Sequence, residues 1–219
     1  MIRVAFDIGG TFTDFVLQDD VKGLAYFLKV PSTPSDPGDA VLDGLEKLLG
    51  EAQLENTSVN ALLHATTIAT NAILERKGAA TGLITTQGFR DILIIGRQKR
   101  YETYDLHINK PEPLIQRRHI TEVVERTDFD GSISNPLDIT SVDKAVGKML
   151  SSSLDAVAVS LIHSYANPKN ERLIRDRILE KAPNLSVSIS SEISPKFREY
   201  ERTNTTAANA YVCLLYTSD

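Results

Sequence analysis

Between positions 7 and 14 the chain reads Asp7-Ile8-Gly9-Gly10-Thr11-Phe12-Thr13-Asp14, two carboxylates set around two glycines and two hydroxyls. These residue types together fit the handling of a phosphorylated ligand. Backbone N–H groups face an anion closely only where no side chain intervenes, which glycine at positions 9 and 10 allows. Thr11 and Thr13 add hydroxyl donors, and Asp7 is a hard oxygen ligand suited to a magnesium ion that keeps most of its waters. Asp14 fits less easily, because a carboxylate beside phosphates is repelled unless a metal or a cation intervenes. Taken alone, a Gly-Gly pair is equally an ordinary tight turn with polar neighbours. Two common phosphate motifs are missing: there is no G-x-x-x-x-G-K-[ST], and β-branched and aromatic residues follow the glycines where a dinucleotide fingerprint would open a helix.

Three other groups carry chemistry. Thr66, Thr67, Thr70 and Asn71 fall where an apolar segment ends and a helical one begins. A helix N-terminus there would offer N–H groups to an anion, and the plain alternative is a threonine-capped helix beside a satisfied histidine, His64. Arg90, Arg97 and Arg100 form a cationic group, and arginine suits two-point capture of a carboxylate or phosphate. A solvated helix face is the alternative for them, and Asp91 reads as an orienting partner of an arginine. His107, His119 and His163 have no metal-ligand spacing to one another and read as structural.

These residues need a scaffold. Residues 2–6, 12–17 and 24–30 read as an antiparallel meander around Gly9-Gly10. Asp36 as N-cap and Pro37 at the first helical position start a helix with Val41, Leu42, Leu45, Leu48 and Leu49 at helical spacing, ended by Gly50. Residues 61–65 read as a short buried strand, 67–77 as a helix closed by Gly78, and 81–85 as a strand, together a strand-helix-strand unit. A helix over 88–95 leads into 98–113, where periodicity vanishes. Strands over 120–126 and 131–134 flank the turn Asp128-Phe129-Asp130-Gly131. Thr140 caps a helix with Val142, Ala145, Val146, Met149 and Leu150 on one face. Residues 156–162 form a continuous apolar strand, Asn167-Pro168 starts another helix, and 185–190 form a last strand. The fold class is mixed α/β, with hairpin and crossover units in one sheet.

Composition narrows the class of function. With 219 residues, 42% hydrophobic, the chain can bury a full core, and a net charge of -5 without a basic run removes the electrostatic footprint of nucleic-acid binding. No apolar run is long enough for a bilayer, and the opening Met1-Ile2-Arg3-Val4 enters a strand directly, which makes the cytoplasm the expected location. A single cysteine, Cys213, excludes an internal disulfide and agrees with a reducing compartment.

The string from Asp7 to Asp14 resembles the first phosphate loop of the actin, sugar-kinase and heat-shock-protein ATPase superfamily, and in this form the hydantoinase A and 5-oxoprolinase family. Further stretches resemble that family in order: His64-Ala65-Thr66-Thr67-Ile68-Ala69-Thr70-Asn71 through Gly78; Gly88-Phe89-Arg90-Asp91 with Ile95-Gly96-Arg97-Gln98; Tyr104-Asp105-Leu106 with Lys110-Pro111; Ser164-Tyr165-Ala166-Asn167-Pro168; and Glu199-Tyr200-Glu201-Arg202-Thr203 with Asn209-Ala210-Tyr211. The resemblance implies a ribonuclease H-like, actin-like ATPase lobe opening with a phosphate-binding hairpin. It implies a first domain over 1–185 and the truncated start of a second over 186–219, whose ending Cys213 to Asp219 departs from the family's continuation.

By the same resemblance the longer protein uses ATP and Mg²⁺ to hydrolyse a cyclic amide such as 5-oxoproline or N-methylhydantoin, phosphorylating the lactam or imide carbonyl before ring opening. It works with a hydantoinase B-type subunit or domain. Asp7 stands near the metal, and Gly9, Gly10, Thr11 and Thr13 surround the phosphates. Thr66, Thr67, Asn71 and Arg90 contact the substrate or its phosphoryl group. The Glu199 to Thr203 stretch marks passage into the next domain, with possible contact to the active site, against the alternative of a solvated helix face. A ketone carboxylase subunit of the same family, a sugar or small-acid kinase, and an inactive fragment are the alternative readings.

Overall fold

The computed structural model describes residues 1–33, 37–98, 104, 107 and 111–216. They fall into two compact units, Met1–Glu75 and Arg76–Asp219.

In the first unit, β1 (Ile2–Ile8), β2 (Phe12–Asp19), β3 (Leu24–Pro31) and β4 (Ala61–Thr66) form one sheet in the order β3-β2-β1-β4. The expected meander is there, since β1 pairs antiparallel with β2 and β2 antiparallel with β3. β4 then runs parallel to β1, which makes this a mixed sheet. Period-2 alternation along β2 turns Thr13, Phe15, Leu17 and Asp19 inward and leaves Phe12, Asp14, Val16 and Gln18 outside. Helix α1 (Pro37–Ala52) covers the inner face through Ala40, Leu48, Leu49 and Ala52, which join Val4, Phe6, Ile8, Phe15 and Leu17 in one core. It runs two residues past Gly50, where the sequence placed its end, and its expected cap Asp36 lies outside the described residues.

β4 departs from its reading as a buried strand. Leu62 and Leu63 are each 55% exposed, because β4 is the edge of the sheet and the helix that follows it, α2 (Ile68–Leu74), is too short to cover it. That helix stops well before Gly78. Arg76 takes the left-handed conformation at φ 57°, and Gly78 serves another purpose: a Cβ there would stand 2.2 Å from Cε1 of Tyr211. Its glycine permits a close approach of chains, not a helix stop.

The second unit is built on a parallel sheet of β5 (Thr81–Thr86), β6 (Ile120–Val123), β9 (Ala156–Ser160) and β10 (Ser186–Ile189), in the order β10-β9-β5-β6. β4 and β5 therefore belong to different sheets, and the strand-helix-strand unit read across them is not formed. The first sheet does combine hairpin and crossover connections, as expected, while β7 (Arg126–Thr127) and β8 (Ile133–Asn135) form a separate two-stranded ribbon around the turn at Gly131. The strand read over 120–126 thus breaks into β6 and β7. The break falls where Val124 N–H donates to Ser141 Oγ and Glu125 is buried. The helix read over 88–95 contracts to α3 (Ile92–Ile95), and most of 98–113, including Arg100, Asp105 and Lys110, lies outside the described residues.

Helices α4 (Ile139–Leu150) and α5 (Lys169–Lys181) pack on one face of this sheet, with Val142, Val146, Met149, Ile174 and Ile178 against Ile84, Val157 and Val159. The cap of α4 is Asp138, whose carboxylate accepts from Thr140 N at 3.1 Å and Ser141 N at 3.1 Å; Thr140 is itself inside the helix. Leu150, read as part of the core face, is 39% exposed at the end of α4. After the short α6 (Ser190–Ile193), α7 (Glu199–Val212) packs on the other face through Ala207 and Ala210. Residues 186–216, read as opening a second domain, thus contribute β10, α6 and α7 to the same compact unit.

One ion-pair cluster joins α4 to α5. Asp143 accepts from Arg177 Nε at 2.9 Å, Arg177 Nη2 at 3.1 Å and Lys181 Nζ at 2.7 Å. The hydrogen bonds from Arg177, then those from Lys181, hold its carboxyl well below the usual carboxylate range. A depressed folded pKa contributes stability that is present above the unfolded value of about 4 and is lost as pH falls through the folded one. Asp143→Asn is therefore expected to lower the melting temperature at pH 7 and to converge on the parent well below pH 4, read by thermal melts across that range.

Candidate active site

The carboxyl ends of β1 and β4 meet beside the hairpin. Asp7 lies in register with Asp14 of β2 on one side and with Ala65 of β4 on the other, and both carboxylates are on the exposed face. Lys29 of β3 neutralises Asp14 at 3.0 Å. Asp7 has no ion pair among the described residues, so of the two carboxylates it is the one left available to a cation.

The loop after β1 is held tightly. Gly9 N–H donates to the Phe12 carbonyl at 3.0 Å, Ser32 N–H donates to the Thr11 carbonyl at 2.9 Å, and Ser32 Oγ donates to the Gly9 carbonyl at 2.9 Å. A Cβ on Gly9 would stand 2.8 Å from the Phe12 carbonyl oxygen, a backbone atom that moves only if the hairpin does. On Gly10 it would meet only the Asn71 side chain, at 3.4 Å. This is a cradle that one added carbon would fill, which is what a backbone site for phosphate oxygens requires. Were this loop the phosphate site of a longer protein that uses ATP, Gly9→Ala would cost about 10²-fold in kcat/KM for ATP, because it displaces the loop. Gly10→Ala is expected to cost less than about tenfold, and steady-state kinetics of the two variants side by side provide the check.

The second limb of the site comes from the turn into α2. The Ile8 carbonyl, at the end of β1, accepts from Thr67 N at 3.2 Å and lies 3.5 Å from the hydroxyls of both Thr66 and Thr67. Asn71 reaches back to Thr67 Oγ1 at 3.4 Å and stands beside Gly10. Asp7, Gly9, Gly10, Thr66, Thr67 and Asn71 thus converge on one end of the first sheet, with exposed Thr11 at the loop tip. Two expectations change in detail. At seven residues α2 makes about two turns, and its first N–H, from Ile68, is taken by Thr66 Oγ1, so side chains outweigh the helix terminus as donors here. Thr13 is fully buried, with its hydroxyl 3.0 Å from Ser32 Oγ, and supports the loop from beneath. Ser32 was missed in the sequence; continuing the β2–β3 register past Phe12 and Pro31 would have found it opposite the loop. His64 is exposed and stacks one face of its ring on Phe6, centroids 4.7 Å apart.

Arg90 and Arg97 belong to the second unit and are each engaged within it, while Arg100 lies outside the described residues. Arg90 Nη2 donates to the Arg117 carbonyl at 3.1 Å, while its Nε is buried without a partner among the described residues. Asp91 pairs with Arg117 through two bonds, at 2.6 and 3.1 Å, and this contact lowers its pKa and keeps it ionised, a poor base. Arg97 is paired with Glu201.

The stretch from Glu199 to Thr203 departs from the solvated-face alternative. Arg202 is 1% exposed, and its guanidinium donates to Ser190 Oγ at 3.1 Å, the Lys196 carbonyl at 3.1 Å, the Leu161 carbonyl at 2.8 Å and the Glu199 carboxylate. Among the described residues no group of three or more His, Cys, Asp or Glu side chains is placed to hold a metal, so the site offers a metal one protein carboxylate, Asp7. That suits Mg²⁺, which is commonly held by one or two carboxylates together with substrate phosphates and water.

Residues 3–182 match the family model described as the hydantoinase/oxoprolinase N-terminal region. The chain belongs to that family. It is 35% identical over 226 residues to the acetophenone carboxylase gamma subunit of Aromatoleum aromaticum, covering 95% of this chain and 31% of that one. Its fold superposes on nucleotide-free acetone carboxylase with a TM-score of 0.88 at 28% identity, over 97% of this chain and 32% of that one. The ATP-dependent caprolactamase of Pseudomonas jessenii gives a TM-score of 0.83 at 32% identity, again over 97% of this chain and 32% of that chain. The mixed α/β lobe expected from the hairpin is thus the fold of this family, and the chain spans about a third of the length of these relatives.

Proposed function

We propose that the longer protein to which this chain corresponds uses ATP to activate an unreactive carbonyl, and that this chain supplies the phosphate and metal end of that site. The observation that carries the reading is the convergence of a carboxylate, Asp7, with no ion pair among the described residues, a glycine cradle at Gly9-Gly10 and the polar side chains of Thr66, Thr67 and Asn71 on one sheet end, in a member of this family.

A lactam or imide is a poor electrophile because its nitrogen donates into the carbonyl. Placing a phosphoryl group on the carbonyl oxygen makes that oxygen a leaving group, provided fixed donors neutralise the developing charge. The residues present fit both partners. Asp7 would hold Mg²⁺, and the N–H groups of the Gly9–Thr11 loop, with the Thr11 hydroxyl, would hold the phosphates. Mg²⁺ would supply charge stabilisation on the phosphoryl oxygens. Thr66, Thr67 and Asn71 would orient the reacting carbonyl from the β4 side. Arg90 stays a proposed substrate or phosphate contact by the family resemblance alone.

Cyclic amides are the favoured substrates, by similarity to the caprolactamase and the family's oxoprolinase branch. Ketone carboxylation is the second reading, favoured by the likeness to two ketone carboxylases. The carboxylase relative is a subunit, which supports a hydantoinase B-type partner for this protein as well. Among the described residues no helix is long and apolar enough to cross a membrane. The test is ATP turnover by the longer protein with its partner against caprolactam, 5-oxoproline, N-methylhydantoin, acetone and acetophenone. Turnover stimulated by one of the cyclic amides supports the first reading, stimulation by a ketone with bicarbonate supports the second, and stimulation by none contradicts both.

A further inference from the structure

The first sheet has two edges, and they are built differently. The edge at β3 carries Lys29 and ends in Pro31, a charge and a residue without an N–H, both of which discourage another chain from pairing there. The edge at β4 has no such guard. Its residues Ala61-Leu62-Leu63-His64-Ala65-Thr66 include no Lys, Arg, Asp, Glu or Pro, and they pair with β1 in an unbroken register from Arg3–Ala61 to Ile8–Thr66, so no bulge twists the strand away. Among the described residues no strand pairs with its other side.

Both faces of β4 are also open. Successive side chains of a strand point to opposite faces, so Leu62 and Leu63 divide between them. On the inner face the register aligns Leu17, Val4 and Leu62; the first two have no exposed surface, and Leu62 is 55% exposed. On the outer face it aligns Val16, Ala5 and Leu63, and Leu63 is 55% exposed as well. An edge strand with one face in water alternates apolar with polar residues, whereas adjacent leucines on opposite faces are the pattern of a strand covered on both.

We infer that β4 is an interior strand of a wider sheet in the longer protein, and that the strand beside it is supplied by the part of the same polypeptide outside these 219 residues. The chain spans about a third of the length of its relatives, which leaves ample polypeptide for this. The size of the seat separates this source from a second chain. Six residues make an edge about 20 Å long and one strand deep, far less than the roughly 800 Å² per partner of a stable interface between separate proteins. A tethered segment needs no such area, because its linker sets a high effective concentration. The added strand is apolar where it faces Leu62 and Leu63. Its residue opposite Ala65 falls in the row of Asp7, about 10 Å away at two strand spacings, and so belongs to the same end of the sheet.

The test is hydrogen–deuterium exchange of the longer protein, read on residues 61–66 at two protein concentrations, with and without the partner subunit. The β4 amides that do not bond to β1 are expected to exchange at least about 10²-fold more slowly than an unstructured chain, at both concentrations and without the partner. Any smaller protection would overturn the assignment. So would protection that needs high concentration, which would mean a second copy, or protection that needs the partner subunit. Leu63→Lys is expected to lower the melting temperature of the longer protein by several degrees. Val21→Lys, at a turn position 83% exposed, is expected to leave it unchanged, and equal effects of the two would also count against the assignment. Neither readout involves ATP, so a failure of the proposed chemistry leaves this result standing.

Discussion

Replacing Asp7 with Asn in the longer protein is expected to lower ATP hydrolysis by about 10³-fold, the several kcal/mol of charge stabilisation that the proposed metal would lose with its proposed ligand. The structure makes the prediction specific to one of two facing carboxylates. Asp14 is already neutralised by Lys29 at 3.0 Å, whereas Asp7, directly across from it, has no cation of its own among the described residues. Asp14→Asn is therefore expected to change the rate by less than about tenfold. Titrating Mg²⁺ against initial rates separates the cases: Asp7→Asn should raise the metal requirement as well as lower the plateau. Equal losses in both variants would mean that the pair acts only as surface charge.

Arg202→Met is expected to destabilise the second unit by about 3–5 kcal/mol, the range for removing one partner of a buried ion pair. The guanidinium is enclosed by Leu161, Ser190, Lys196 and Glu199, and Ser190 Oγ links it to the fully buried Glu171, which accepts from Leu161 N at 2.9 Å and Ser191 N at 2.8 Å. Removing Arg202 leaves the Glu199 carboxylate unpaired and takes three donors from acceptors that water cannot easily reach. Tyr165, whose ring lies 5.3 Å from the guanidinium carbon, would lose its cation as well. The double variant Arg202→Met with Glu199→Gln should recover part of the loss, since the orphaned charge goes with it. Urea unfolding of both variants measures the effect, and a loss below about 1 kcal/mol for the single variant would show that the network relaxes around the gap.

The hairpin that carries the proposed site was legible in the sequence because hairpins obey local rules. Alternating residues on either side of Gly9-Gly10 gave the meander, and the same alternation already implied that Thr13 turns inward with Phe15 and Leu17. The segment 61–66 was misjudged because an apolar run does not reveal whether it will be central or an edge; Leu62 and Leu63 are exposed by topology, which no local pattern encodes. Gly78 was taken for a helix stop when its contact is with Tyr211, more than a hundred positions along the chain. The Glu199 to Thr203 stretch hid its buried side in the same way, since the partners of Arg202 come from Leu161, Ser190 and Lys196 as well as from its own helix. Charge in a sequence states a cost of burial, and only the fold shows whether that cost is met.

The central claim is that the ATP held at this hairpin delivers its phosphoryl group to a substrate carbonyl oxygen. The most direct test uses a cyclic amide labelled with oxygen-18 at the carbonyl, turned over by the longer protein with its partner subunit and ATP in unlabelled water. If the carbonyl oxygen accepts the phosphoryl group, one water adds to that carbon and the C–N bond breaks with the nitrogen taking a proton, leaving an acyl phosphate; a second water attacking the acyl carbon then sends the labelled oxygen out on phosphorus, and the released phosphate is expected to carry one labelled oxygen per ring opened. Label kept wholly in the carboxylate product, with unlabelled phosphate, would mean that ATP is hydrolysed without touching the carbonyl and would contradict the account.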